Sequence, residues 1–218
     1  MERTLTGIVA RLAEVYGTPR AAITDPFEMI LLENVAYLVD DARRLETFRK
    51  LRDEIGLSPD AILAASAMTI AKVIEGGGML PPHRAAKVIA CARLAEKIGI
   101  ALDKKILRKY PGAGEPLADR ILLFNGKQRT LAPDSNALRV LLRLGFGTES
   151  KNYAASYKSA VAAAGELPDA WEAHILLRRH GQEVCKNKAP RCEVCVVRAD
   201  CDFYSNLMAR SRVSSHER

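Results

Sequence analysis

Four cysteines lie within 17 residues of one another near the end of the chain, and they are its strongest chemical signal. They are Cys185, Cys192, Cys195 and Cys201, in the spacing C-x6-C-x2-C-x5-C. Thiolates bind soft or borderline metals, and four on one short loop can enclose a single centre. Structural zinc sites usually pair two C-x2-4-C units, and only Cys192 and Cys195 have that spacing. The wide flanking gaps favour an iron–sulfur cluster, with a zinc ion as the alternative.

Basic side chains lie within this cysteine loop. Lys186, Lys188 and Arg191 fall between the first two cysteines. Positive charge on a loop held by a metal centre can contact nucleic-acid phosphates. A solvated protein surface has the same composition, so DNA contact by these residues is a hypothesis with a plain alternative.

A glycine-containing turn joins two predicted helices within residues 103–124. It carries Gly112 and Gly114, which permit positive φ and close backbone approach. Pro116 suits the first turn of the second helix, where its missing N–H costs nothing. Such a turn directs backbone N–H groups outward at a helix N-terminus, which is a natural phosphate site. A simple helix–helix connection is the alternative.

Asp134 is the strongest candidate among the carboxylates. It follows Pro133 and precedes a helical apolar pattern, so it is predicted to be a helix N-cap. A carboxylate at a helix N-terminus is held ionised by the helix dipole. When partly desolvated, it is suited to stabilising a cationic sugar or activating a water molecule. Capping and catalysis are compatible.

Helices are predicted along almost the whole chain of 218 residues. Apolar residues recur at helical spacing in 27–45, 59–75, 83–98, 103–110, 116–125, 135–144, 153–164 and 168–180. Alternating apolar runs, the signal of strands, are absent. We therefore predict an all-α fold.

Composition bounds the class of protein without naming it. The 33 basic and 26 acidic side chains give a formal net charge of +7, which permits an anionic partner but does not require one. No run approaches the roughly 20 apolar residues of a membrane helix. Arg11 and Glu14 stand where a signal peptide would be apolar. We expect a cytoplasmic protein, in a prokaryote associated with the nucleoid, with Cys91 as a buried small hydrophobe.

The order of these motifs resembles the endonuclease III branch of the helix-hairpin-helix DNA glycosylases. The hairpin Pro-Gly-x-Gly, then Pro-Asp about 20 residues on, then His180-Gly181 and the four cysteines follow the order of that family. The resemblance implies two all-α lobes with a DNA cleft between them. The first would be a helical barrel over 25–134, containing the helix-hairpin-helix. The second would combine 1–24 with 135–207, and residues 208–218 would form a disordered basic tail.

The resemblance also implies roles for the candidate residues. The four cysteines would hold a [4Fe-4S] cluster, Gly112 and Gly114 would bind phosphate, and Asp134 would stabilise an oxocarbenium-like sugar. The expected partner is double-stranded DNA containing a damaged or mismatched base, which is flipped out before its N-glycosidic bond is cut. We expect a monomer with no membrane contact.

Two residues of the hairpin depart from the family pattern. Bifunctional members carry a nucleophilic lysine where this chain has Pro116, so we predict a glycosylase without efficient lyase activity. Lys127, the closest lysine downstream, is expected across a helix from the required position. The alternatives are a lyase that uses another amine and a non-catalytic DNA-damage-binding protein. Glu115 would repel a phosphate unless it points away.

Three further residues are predicted to act on the flipped base or its neighbours. Glu33 matches a glutamate that protonates the departing purine in the adenine-specific branch. Tyr37, one turn later in the predicted helix 27–45, would fill the gap left by the base, and Leu80 would be a second wedge. Alternatively, Glu33 and Tyr37 border the core.

The identity of the excised base is left open. Uracil, thymine opposite guanine, adenine opposite oxidised guanine and alkylated bases are all compatible with the motifs. Adenine is less expected, because that branch reads the opposite base with a further domain and this chain ends soon after Cys201.

Overall fold

A computed structural model describes residues 3–17 and 23–216 of the chain, with side chains through Ala209. The regular elements within these ranges are helices, which confirms the predicted all-α class. Extended pairing there is limited to two isolated bridges, Tyr37 with Gly78 and Thr130 with Glu166. Among the described helices, none has the length and apolarity needed to cross a membrane.

The chain divides into two compact units. Residues 22–125 form one, which we call the hairpin unit, and residues 1–21 with 126–218 form the other, which we call the cysteine unit. The sequence-based boundary at 134 lies later than the observed one, so Asp134 belongs to the cysteine unit. Part of the predicted segment 1–24 lies outside the described residues.

Helices of the hairpin unit surround one apolar core. They are α2 (Pro26–Asn34), α3 (Asp41–Glu54), α4 (Pro59–Ala64), α5 (Ala67–Val73), α6 (Pro81–Ile98), α7 (Lys104–Leu107) and α8 (Glu115–Phe124). Side-chain oxygens of Asp25, Asp40, Ser58, Ser66 and Asp103 cap the N-termini of α2, α3, α4, α5 and α7. Fully buried side chains fill the centre, among them Ile30, Leu31, Phe48, Leu51, Ile62, Ile70 and Ile121.

The prediction of one continuous helix over 27–45 is wrong. Helix α2 ends at Asn34, the chain runs without helix through 35–40, and α3 starts at Asp41. Tertiary hydrogen bonds cause the break, since the backbone N–H of Tyr37 donates to Gly77 O at 2.8 Å instead of to the preceding turn. Tyr37 therefore does not share a helical face with Glu33.

A second predicted helix, 59–75, is also interrupted. Helix α4 ends at Ala64, Ala65 is extended, and the Ser66 side chain caps α5 by accepting from Thr69 N. A serine hydroxyl competes with the backbone for N–H groups, so a cap inside a periodic pattern can restart a helix.

The cysteine unit is built from α1 (Leu5–Tyr16), α9 (Ser135–Leu144), α10 (Tyr153–Ala164), α11 (Ala170–Glu183) and α12 (Asp202–His216). Helix α11 packs closely on α9, because Gly181 meets the backbone of Asn136: a Cβ at Gly181 would lie 2.7 Å from Asn136 O. This contact brings the second half of α11 against the first turn of α9. The sequence-predicted helices 135–144 and 153–164 have the observed bounds.

The predicted basic tail, 208–218, is helical as far as residue 216. Helix α12 continues from Asp202 to His216. Its sequence contains neither glycine nor proline, so nothing in the covalent chain terminates it early. Residues 217 and 218 of the predicted tail lie outside the described residues.

Candidate metal centre and DNA-contacting residues

The four cysteines line one cavity in the cysteine unit. All are free thiols of intermediate burial, and the apolar walls come from residues that include Val140, Leu144, Val184 and Val197. Among the described residues, no three His, Cys, Asp or Glu side chains converge closely enough to hold one metal ion. Four thiol ligands on one cavity are the donor set that a cysteine-ligated iron–sulfur cluster takes.

Burial favours the protonated form of three of these thiols, those of Cys192, Cys195 and Cys201, when no metal is bound. It raises the pKa of Cys195 to about 11, and it also raises the pKa of Cys192 and Cys201. Because the thiolate is the ligand, metal binding must displace these protons. The donor set of four thiols in an apolar cavity fits a [4Fe-4S] cluster.

A buried histidine links the cysteine loop to α1. His180 Nε2 lies 3.5 Å from Cys195 Sγ, and His180 Nδ1 lies 3.0 Å from Tyr16 Oη. Burial lowers the pKa of His180 to about 4 and raises the pKa of Tyr16 to about 12, so both are neutral near pH 7. If the tyrosine hydroxyl donates to Nδ1, the neutral imidazole carries its proton on Nε2 and can donate it to the sulfur. This explains the histidine singled out before Cys185.

Two arginines of α9 hold the start of the cysteine loop. Arg139 donates to Cys185 O at 2.9 Å and to Gly181 O at 2.7 Å. Arg143 donates to Lys186 O at 2.7 Å and to Cys185 Sγ at 3.4 Å, and its guanidinium lies over the Phe203 ring. Sequence reasoning missed both, although their i, i+4 spacing places them on one face of α9.

The three basic residues predicted to contact DNA are brought together on this loop. Lys186, Lys188 and Arg191 are exposed, while the backbone beneath them is tied by the Arg143 contacts and by Arg191 N–H donating to Val184 O at 2.9 Å. A fixed backbone with exposed cationic side chains can present them to a phosphate chain.

Asp134 is the N-cap of α9, as the sequence predicted. Its Oδ1 accepts from the N–H groups of Asn136 and Ala137 at 3.0 and 2.9 Å. Its Oδ2 accepts from Arg178 Nε on α11 at 2.6 Å, and only 14% of the side chain is exposed. The carboxylate is thus held in one orientation. Arg178 is a residue that the sequence analysis did not connect with Asp134.

The hairpin turn is braced from α2. The Asn34 amide donates to Pro111 O at 2.8 Å and to Ile30 O at 2.9 Å. Gly112 has φ +77°, and a Cβ there would lie 2.6 Å from Asn34 Oδ1, so glycine is required. Gly114 is different: its φ is −67°, and it serves as the backbone N-cap of α8. Both glycines are exposed, as phosphate contact would need.

The unusual Glu115 is compensated by a lysine. Lys104 Nζ lies 2.9 Å from Glu115 Oε1 and 2.7 Å from Asp119 Oδ1. Burial opposes the charge on Lys104, but the hydrogen bonds to Asp119 and Glu115 outweigh it, so the pKa of Lys104 is raised. Lys104 therefore partly neutralises the negative charge beside the hairpin turn.

Glu33 lies among arginines of its own unit. Its Oε2 is 3.2 Å from Arg120 Nη2 and 3.5 Å from Arg44 Nη1, and 38% of the side chain is exposed. Two guanidinium partners are the surroundings of an ion-paired carboxylate, which supports the alternative that Glu33 borders the core.

Tyr37 and Leu80 are exposed on two neighbouring loops. The bridge between Tyr37 and Gly78 joins these loops, and Leu80 precedes helix α6. Leu38 and Leu80 both have left-handed backbones, with φ of +58° and +57°. Non-glycine residues in this region cost about 1–3 kcal/mol and persist only where the surroundings enforce them.

Comparison with known proteins places the chain among its relatives. An endonuclease III from Sulfolobus acidocaldarius is 30% identical over 187 residues, covering 82% of each chain. An endonuclease III from Thermotoga maritima is 27% identical, covering 83% of this chain and 84% of its own. No protein-family model matches the chain. The chain belongs to the endonuclease III family, which confirms the resemblance.

Solved structures show the same fold. A trapped endonuclease III–DNA covalent intermediate superposes with a TM-score of 0.77 at 21% identity, covering 95% of this chain and 100% of that chain. A thermostable thymine-DNA glycosylase has a TM-score of 0.77 at 18% identity, covering 93% of this chain and 97% of its own.

The lysine–carboxylate cluster of the hairpin leads to a prediction on stability. Replacing Lys104 by Met should lower the free energy of unfolding by about 1 kcal/mol, because partial exposure screens part of the attraction. The raised pKa of Lys104 means that its contribution is full below the ordinary lysine value and is lost as the pH rises through the raised value. Urea unfolding at pH 7 and in a series of increasingly alkaline buffers would show this. Lys105→Met, at an exposed neighbour, is the control, and an equal effect of both substitutions would contradict the prediction.

Proposed function

We propose that this chain is a monofunctional DNA glycosylase that uses Asp134 and water to hydrolyse the N-glycosidic bond of a flipped base. Membership of the endonuclease III family makes it a base-excision repair DNA glycosylase. The fixed, partly desolvated carboxylate at the start of α9 carries the proposal of hydrolysis. Binding DNA alone does not require such a group.

Asp134 is suited to the charge that develops in this reaction. As the bond between C1′ and the base nitrogen breaks, its electron pair leaves with the base and the sugar becomes cationic. A carboxylate held by two backbone N–H groups and Arg178 needs no reorientation at that moment. Water then adds to C1′ and loses a proton. Asp134 can accept that proton, which gives an abasic site and a free base.

The absence of an amine at position 116 supports hydrolysis without lyase chemistry. Pro116 lies in the first turn of α8, where bifunctional relatives have their lysine. Lys104 is committed to Glu115 and Asp119, and its raised pKa keeps it protonated and therefore non-nucleophilic. Lys127 follows the end of α8 and is exposed.

DNA binding is proposed through residues of both units. The solved endonuclease III structures that share this fold include DNA complexes, which supports a duplex partner. Gly112 and Gly114 offer an exposed backbone for a phosphate, and Lys186, Lys188 and Arg191 offer cationic contacts. Tyr37 and Leu80 are proposed to occupy the space of the flipped base. The excised base and the expected monomeric state stay predictions.

Glu33 is proposed as an ion-pairing residue, with proton donation as its alternative. Its contacts with Arg44 and Arg120 support the first role. The two roles differ in the response to Glu33→Gln: loss of base release from a substrate that Asp134 can otherwise cleave would assign proton donation. Release at the wild-type rate would assign the structural role.

A [4Fe-4S] cluster is proposed in the cavity of the cysteine unit. Cys185, Cys192, Cys195 and Cys201 would ligate it, with His180 and Arg143 as hydrogen-bond donors to two of the sulfurs. When bound, the cluster supplies a cross-link that orders the loop of Lys186, Lys188 and Arg191. The cluster would thus contribute to DNA binding by holding these three basic side chains in place.

The names of the relatives favour a second candidate. The curated relatives are endonucleases, and one solved structure is a covalent DNA intermediate, so a bifunctional glycosylase/lyase that uses another amine is the specific alternative. The remaining alternative is a non-catalytic protein that binds damaged DNA. Such a protein has no turnover to lose, so loss of turnover on substitution of Asp134 would show that the chain is an enzyme.

Asp134→Asn should reduce single-turnover base release by about 10²–10³-fold, the loss typical when a preorganised charge-stabilising group is removed. The asparagine oxygen can still accept from the α9 N–H groups, so the cap and duplex affinity should be retained. A panel of single-lesion duplexes, assayed with alkali, would identify the substrate and measure the rate. Asp169→Asn, at the exposed N-cap of α11, is the matched control. Unchanged release by Asp134→Asn would overturn the assignment.

Borohydride should not trap the wild-type protein on abasic DNA, because no lysine stands at position 116. Pro116→Lys places an amine there at little conformational cost, since lysine is a good helix former. This variant should gain a borohydride-stable adduct, visible as a gel shift. Efficient trapping of the wild-type protein, mapped by mass spectrometry to a native lysine, would instead establish the bifunctional alternative.

The purified protein should be brown, with broad absorption at about 400 nm and about four iron atoms per chain, because a [4Fe-4S] cluster with four cysteine ligands has these properties. Cys195→Ser should lose iron and colour, because it removes a buried ligand that contacts His180. Cys91→Ser should keep both, since Cys91 lies in the core of the hairpin unit. A colourless wild-type protein containing one zinc ion would contradict the cluster.

A further inference from the structure

A tyrosine and a histidine form a hydrogen-bonded chain that ends at one candidate cluster ligand. Tyr16 Oη lies 3.0 Å from His180 Nδ1, and His180 Nε2 lies 3.5 Å from Cys195 Sγ. The three residues come from α1, α11 and the cysteine loop, all within the cysteine unit. We call them the sulfur relay. His180 is the proposed donor to the sulfur, whereas Tyr16 has no role in the proposed function.

The ligand sulfur sets the direction of hydrogen bonding along the relay. A cysteine that ligates a metal is deprotonated, so Cys195 Sγ can only accept, and the donor is the N–H group at Nε2 of His180. His180 is 2% exposed, and burial to this extent favours the neutral imidazole. A neutral imidazole with its proton on Nε2 has an acceptor at Nδ1, and the Tyr16 hydroxyl is the group that donates to it.

Several contacts hold Tyr16 at the end of α1. Arg179 Nη1 donates to Tyr16 O at 3.0 Å, and the Arg179 guanidinium lies 4.7 Å from the centre of the Tyr16 ring. The rings of Tyr16 and His180 meet edge to face, with their centres 6.1 Å apart. Earlier in α1, Arg11 pairs with Asp200 of the cysteine loop. Because none of these contacts uses the phenol oxygen, removal of the hydroxyl alone should leave the ring in place.

A hydrogen bond to a ligand sulfur stabilises one oxidation state of an iron–sulfur cluster more than another. The positive end of the donor favours negative charge on the sulfur, and loss of an electron from the cluster reduces that charge. The donor therefore favours the reduced member of the redox couple. An imidazole with its proton on Nδ1 would instead face the sulfur with a lone pair, and it would lose this effect.

We propose that Tyr16 is a positioning residue of the cluster site: its hydroxyl fixes the His180 tautomer that donates to Cys195 Sγ, and this donation opposes one-electron oxidation of the cluster. The inference rests on the proposed [4Fe-4S] cluster and not on the identity of the excised base. In the oxidation, one electron passes to an external one-electron oxidant and the relay proton stays on Nε2. Tyr16→Phe removes the donor to Nδ1, so either ring nitrogen can then carry the proton.

The relay is tested first by the vibrations of the iron–thiolate bonds. The resonance Raman bands of the Fe–Sγ stretch should shift when the wild-type cluster is reconstituted in D2O instead of H2O, because the proton on Nε2 is exchangeable. Tyr16→Phe should reduce this shift. Tyr157→Phe should not, since Tyr157 is a buried tyrosine of α10 outside the residues that line the cysteine cavity. An unchanged shift in Tyr16→Phe protein would overturn the relay.

Oxidation by ferricyanide gives an independent measurement. Tyr16→Phe protein should be oxidised at least about fivefold faster than the wild type, and its midpoint potential for oxidation should be more negative, because a hydrogen bond to the sulfur is weakened. Tyr157→Phe protein should keep the wild-type rate and potential. Amide exchange in α1 should be the same in all three proteins, which shows that the helix remains docked. Wild-type oxidation behaviour in Tyr16→Phe protein would contradict the proposal.

Combined variants decide whether Tyr16 acts through His180. His180→Leu removes the donor to the sulfur and should speed oxidation at least about fivefold, and the further change Tyr16→Phe should then add little, since both act on one hydrogen bond. His180→Gln should recover part of the resistance to oxidation, because its amide can donate without a tautomer. It also replaces the leucine variant where that variant does not bind the cluster, and Tyr16→Phe should again add little. Fully additive effects would show that Tyr16 acts through the packing of α1, and they would overturn the relay.

The outcomes also separate the relay from the proposed function. A brown wild-type protein whose Raman bands and oxidation do not respond to Tyr16→Phe would overturn the relay alone, and the proposed cluster and glycosylase would stand. A wild-type protein that holds no iron after reconstitution would overturn the cluster and the relay together. Base release from the lesion duplexes would still decide the glycosylase activity in that case.

Discussion

A backbone carbonyl that leaves water must find a donor, and in this chain arginine side chains meet that requirement in the loops that carry the candidate functions. In an all-α fold the backbone carbonyls inside helices are hydrogen-bonded, but the connecting segments have no regular backbone hydrogen bonds. Arg84 donates to carbonyls next to the loop after α2 and in the loop before α6, and Arg139 and Arg143 donate to carbonyls of the cysteine loop. Each guanidinium projects from a helix, so the rigidity of α6 or α9 is passed on to an irregular segment.

Helix α9 shows how much depends on such contacts. Its first turn is capped by Asp134, and its later turns carry Arg139 and Arg143 to the cysteine loop. Gly181 lets α11 approach the same first turn, which places Arg178 beside the Asp134 carboxylate. The proposed catalytic group and the proposed cluster ligands are therefore held by one short element of the cysteine unit. A change in the conformation of the cysteine loop would therefore alter its contacts with α9.

Charge compensation accounts for the departures from the family pattern. Glu115 would repel a phosphate by itself, but Lys104 bonds it and Asp119 together. Glu33 would be a candidate acid if its surroundings were apolar, but Arg44 and Arg120 lie next to it. The role of a carboxylate depends on its neighbours, and the arginines and the lysine beside these two carboxylates lie on other helices. This is why the sequence pattern pointed to Glu33 as an acid and to Glu115 as a difficulty.

Local patterns were sufficient wherever the physical cause is local. The spacing of the cysteines, the N-cap at Asp134, the all-α class and helices such as 135–144 depend on residues a few positions apart, and all could be read from the chain alone. The break after Asn34, the left-handed backbone of Leu38, the partner of Asp134 and the carbonyl contacts of Arg84 could not. Each is decided by a hydrogen bond or a close approach between segments separated by tens of residues. A tertiary contact can override the helical preference of a sequence such as 27–45, because it provides other hydrogen-bond partners for the same backbone groups.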